Sequence, residues 1–203
     1  MDDKILANIA KLIDKRNINT IIIESISELQ INRKSIWQYA VSFVIGSIVA
    51  YMVAFNYGTV QVMTKVSELL FNTSIVIIGV ILTAYSIFQA LMQKELILTL
   101  IQSENNLLEI SNKSFLNLII LYVMNAVTSL TLMIILSAIG KEFSVFDKMI
   151  INNILSARII FIYIVFNLLL LLELIVFATN LYRMFCVYNS INALNAIRND
   201  EEI

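Results

Sequence analysis

An all-α, polytopic membrane protein with four transmembrane helices and cytosolic helical extensions is the fold class this sequence predicts, and three observations carry it. Of its 203 residues 59% are apolar and 14% charged, with a mean hydropathy of +0.84, against roughly 45–50% and 25% in soluble domains. The stretches 35–64, 69–93, 114–140 and 159–172 contain no Lys, Arg, Asp or Glu, and the last resumes after Glu173 over 174–182. Proline is absent and glycine occurs four times, so little punctuates a long helix. A spanning helix needs roughly 20 mostly apolar residues. These runs are apolar on both parities, which excludes the alternation of a membrane barrel.

The elements follow in order. Residues 1–35 read as cytosolic amphipathic helices: Ile5, Ile9, Leu12 and Ile13 recur at helical spacing, and Thr20 can cap a second helix with Ile22, Ile23, Ile26 and Leu29 on one side. Such a helix either lies on the inner leaflet or packs on the protein's own cytosolic side, and its mixed Asp, Glu and Lys favour the second. The membrane region, 36–182, holds spans near 37–57, 70–93, 115–139 and 159–182. Within it, 94–113 reads as a cytosolic hairpin, with an apolar stripe of Leu96, Leu100 and Leu107. Outside, Ser144 can cap a short interfacial helix carrying Phe146, Met149, Ile150 and Ile154. Residues 183–203 read as a cytosolic C-terminal helix in which Tyr188, Ile191 and Leu194 continue the pattern of the fourth span.

The first apolar run begins behind a charged segment, the wrong layout for a cleaved secretory signal, so the first span is expected to direct insertion. Ten Lys and Arg fall on the side of both termini and four on the other. That bias places both termini in the cytoplasm.

Inside the spans, small and polar residues mark contact faces or a water-filled path. Ser42, Gly46, Ala50 and Ala54 recur every fourth residue in the first span. Asn72, Gly79, Thr83, Ser86, Ala90 and Gln93 share a face of the second, and Asn125, Thr128 and Ser129 form a patch in the third. Ordinary helix packing is the favoured reading for all three. Glu173 is the most informative residue, an ionisable group near the middle of the fourth span with Asn180 seven residues further on. Asn125, Thr83 and Gln89 are its candidate partners. It reads either as a proton- or cation-interacting site, with a ring of carboxylates in an oligomer, or as a hydrogen-bonding carboxyl that holds helices together.

The stretch from Gly79 to Leu91 (GVILTAYSIFQAL), followed by amphipathic 96–110 and a third span, resembles a layout of small bacterial membrane proteins, some encoded with anti-phage defence systems. In size and arrangement the chain is similar to the four-helix membrane subunit of the Kiwa system. That resemblance implies a homo-oligomer that senses membrane disturbance or phage and works with a cytosolic partner. It covers the spans and the central hairpin as a pattern, and no functional residue is carried over from it.

Composition excludes several classes. The chain has no histidine and one cysteine, Cys186, which leaves no Cys/His metal site, disulfide framework or Ser-His-Asp triad. No Asp lies in a span, so an intramembrane hydrolase is not expected; nor is a cofactor. A net charge of −1 gives no reason to expect nucleic acid. Two readings remain. One is an oligomeric membrane sensor or anchor, with the bilayer, further copies and a cytosolic protein as partners. The other is a pore lined by Glu173 and the Thr83/Ser86 face.

Overall fold

The computed structural model describes residues 17–29, 36–90, 92, 97, 107–139 and 149–201. Among these the chain forms five helices and no strand: α1 (Ile18–Glu28), α2 (Ile36–Ala54), α3 (Thr59–Ala90), α4 (Leu107–Ala138) and α5 (Met149–Glu201). The last four are each long and apolar enough to cross a membrane. The protein is an all-α, multi-pass membrane protein.

Helices α2 and α3 are joined by a turn over 55–58, where the Asn56 side chain accepts the Gly58 N–H at 2.9 Å. Thr59 Oγ1 sits 2.7 Å from the Asn56 carbonyl and 3.0 Å from that of Val53, capping carbonyls that α2 leaves open. This tight turn replaces the expected loop 58–68: α3 begins eleven residues before the predicted span start of 70. Lys65 and Glu68 ended the charge-free run there, yet both are good helix formers, and lipid compatibility is a stricter demand than helicity. The same distinction explains α5. It runs unbroken for 53 residues, about 80 Å, and absorbs Met149, Ile150 and Ile154 from the expected interfacial helix. Ser144 and Phe146, like the hairpin residues Leu96 and Leu100, lie outside the described residues.

The most extensive pairings are α3 with α4 and α2 with α5; α1 packs on α4. From one end to the other, Ser129 meets Tyr163, Asn125 meets Asn167, Tyr122 meets Leu170, Phe115 meets Phe177 and Ser111 meets Met184. That succession keeps α4 and α5 in one antiparallel register. Helix α3 buries Ser67, Ser74, Ile81 and Phe88, spaced by seven. The two serines let its backbone approach α4 closely.

Ser42, Gly46, Ala50 and Ala54 are all buried. A methyl group added at Gly46 would lie 2.5 Å from Val165 Cγ2, so glycine is what permits the α2–α5 approach. Near the other side of the bundle, α1 packs on α4 through buried Ser25, whose hydroxyl lies 3.1 Å from Asn117 Oδ1, and through a Lys113–Glu24 ion pair at 3.1 Å. The second N-terminal helix therefore packs on the protein.

Candidate functional site

The polar side chains of the spans fall into three groups, which the structure keeps apart. The first is a buried cluster where α3, α4 and α5 meet. Asn125 donates both amide protons, to Ser74 Oγ and to Asn167 Oδ1, each at 2.8 Å. Asn167 in turn donates to the Tyr163 carbonyl at 2.9 Å, and the Tyr163 hydroxyl lies 2.7 Å from Ser129 Oγ. Ser74 donates back to the Leu70 carbonyl. One atom is left over: Asn125 Oδ1 is buried with no hydrogen-bond partner among the described residues, as are Ser42 Oγ and Ser67 Oγ. These groups are amides and hydroxyls, so the cluster can clamp helices but offers no strong acid or base. Asn125 is thus occupied with Ser74 and Asn167.

The second group surrounds Glu173, which is half-buried. It lines a cavity of about 30 Å³ with Ser114, Leu118, Leu121, Phe177 and Asn180, large enough for one water. Tyr39, near the start of α2, lies within electrostatic range. Asn180 does share a site with Glu173, as the seven-residue spacing suggests. The other expected partners do not. Gln89 Nε2 lies 3.5 Å from Asn112 Oδ1, and Thr83 bonds the Gly79 carbonyl of its own helix.

The third group is the row on α3. Asn72, Gly79, Thr83, Ser86 and Ala90 are exposed, Gln93 lies outside the described residues, and a methyl group at Gly79 would meet nothing within 4 Å. Among the described residues nothing packs against Gly79. The row and the buried line of Ser67, Ser74, Ile81 and Phe88 occupy opposite sides of the helix: Asn72 and Ile81 differ by nine residues, two and a half turns. Periodicity marks such a row but not whether it points in or out.

Of the expected partner face, Tyr188 packs against the core cluster that includes Phe115 and Leu170. Leu107 lies on α4 and Ile191 and Leu194 lie on α5, with side chains outside the described residues. Asn167, Tyr163 and Ser74 are the positions that sequence reasoning missed. An amide near the middle of each of two spans, Asn125 and Asn167, was the available signal. Among the described residues no three of His, Cys, Asp and Glu converge as metal ligands. Compared with protein families, curated proteins and solved structures, the chain matches none.

Proposed function

We propose that this chain is a non-enzymatic, homo-oligomeric subunit of a bacterial inner membrane. Its cytoplasmic helical extensions bind a soluble protein and report the state of the membrane to it. The observation that carries this reading is the outward row on α3. Asn72 stands exposed with no hydrogen-bond partner among the described residues, in line with Gly79, Thr83 and Ser86. Hydrocarbon cannot meet an amide's donors and acceptors, whereas a second α3 can, because carboxamides pair with each other and small residues allow close approach.

Partner binding is supported by what lies beyond α2. Helices α3, α4 and α5 all continue past the level of Tyr39 and Glu173, through Gln89–Asn112 and Ser111–Met184. Helix α5 then extends to Glu201, with Ile197 59% exposed. The excess of Lys and Arg on this side supports a cytoplasmic location. Resemblance to the Kiwa-type membrane subunit supports anti-phage defence as the setting. One feature favours a pore instead: the row runs without interruption from Asn72 to Ser86 and would line a path at the centre of an oligomer.

Light scattering on the purified protein is expected to give a multiple of the monomer mass. A Gly79→Cys, Cys186→Ser variant is expected to cross-link between copies. A monomeric mass with no cross-link sinks the proposal. Ion flux in liposomes, abolished by Thr83→Leu, would select the pore over the sensor.

A further inference from the structure

We propose that the groove between α4 and α5 at their Arg183 end is a binding site for an anionic phospholipid of the adjoining leaflet. The groove has a volume of about 370 Å³, with Phe115, Phe177 and Val187 on its walls and Ser114, Asn180 and Arg183 along its length. That size and lining, apolar with a few convergent polar groups, are those of a small-molecule site.

Its origin lies in the unequal helix lengths. Arg183 is eighteen residues from Val165, five full turns, and so continues the stripe of α5 that faces α2. The described part of α2 begins at Ile36, about one turn beyond Tyr39, which lies within electrostatic range of Glu173. Beyond that level no described residue of α2 covers the stripe.

Arg183 is exposed and makes no ion pair with any described residue, and the Asn180 amide and Ser114 hydroxyl have no hydrogen-bond partner among them. Arg183 also ends the apolar run of α5, where a leaflet's phosphates lie. A guanidinium matches a phosphate with two parallel hydrogen bonds, and an acyl chain running from it would meet Phe177 and Phe115. Glu173, the nearest acidic group along α5, is ten residues away, about 15 Å. The Glu24 carboxylate is engaged with Lys113. Neither acid forms an ion pair with Arg183. The site requires neither a particular sidedness of the membrane nor an oligomer.

The test is native mass spectrometry of the full-length protein from micelles containing equal phosphatidylglycerol and phosphatidylethanolamine. Wild type is expected to retain phosphatidylglycerol at least threefold over phosphatidylethanolamine, and 10 mM inorganic phosphate should not displace it. Arg183→Gln, which keeps a polar side chain at an exposed position of α5, should bring the two lipids to equal retention. Val187→Trp, which fills the groove, should lower retention of both. Equal retention by wild type, or unchanged selectivity in Arg183→Gln, overturns the proposal. So does a photo-cross-linker at position 180 that captures the chain's own residues 1–16 or 30–35 in place of lipid.

Discussion

Asn125 directs one amide proton to α3 and the other to α5 while its carbonyl oxygen stays buried and unpartnered. Hydrogen bonds between membrane helices contribute about 0.6 kcal/mol each on average. A buried polar atom without a partner costs about 1–3 kcal/mol. The two substitutions that break the cluster are therefore unequal. Asn125→Leu loses two bonds and strands Asn167 Oδ1, but it also removes the orphaned carbonyl, so the net loss is about 1 kcal/mol. Asn167→Leu leaves Asn125 with an unmet N–H in addition to its unmet oxygen and should cost about 1–2 kcal/mol more. Unfolding by denaturant titration in micelles measures both variants. Equal losses would show that Asn125 Oδ1 already has a partner, such as a buried water, and would refute this accounting.

Two glycines on neighbouring helices have opposite surroundings. A methyl at Gly46 meets Val165 Cγ2 at 2.5 Å, and a methyl at Gly79 meets nothing within 4 Å. Gly46→Ala should therefore cost about 1–3 kcal/mol by overpacking, with part of the loss recovered in Gly46→Ala/Val165→Ala. Gly79→Ala should leave the monomer as stable or slightly more so, because alanine is the better helix former. If both single variants unfold alike, the α2–α5 approach is not what Gly46 permits. The contrast also shows what was legible. Four spans could be read because lipid forbids charge over a known length, and the row of Ser42, Gly46, Ala50 and Ala54 because close packing requires small residues at helical spacing. Helix ends could not be read that way. Lys65 and Arg158 stop an apolar run without stopping a helix, so α3 and α5 begin before it. The direction of the α3 row was also hidden, since a single helix carries no information about which side its neighbours take.

For the molecule as a whole, the charge bias makes a sharp prediction about sidedness. Cys186 is the only cysteine and is exposed, so the native chain carries its own reporter. A membrane-impermeant maleimide should label it in inverted vesicles and leave it unlabelled in intact spheroplasts. Tyr57, fully exposed in the α2–α3 turn, should give the reverse pattern as Tyr57→Cys in a Cys186→Ser background. Labelling of Cys186 from outside would reverse the orientation and with it the cytoplasmic partner. The fold class was open to sequence reading because solvent and lipid act on every residue. The site was not, because its amides and hydroxyls come from three helices and share no spacing along the chain.

The length of α5 sets a height as well as a span. Eighteen residues separate Arg183 from Glu201, about 27 Å of helix. The electrostatic potential of an anionic leaflet decays within a Debye length, about 8 Å at physiological salt. If the helix stands away from the membrane, its tip projects some three screening lengths from the phosphates, while its base remains among them. A protein captured at the tip would be blind to lipid charge, whereas Arg183 would register it, so one continuous rod joins a contact that depends on lipid composition to one that does not.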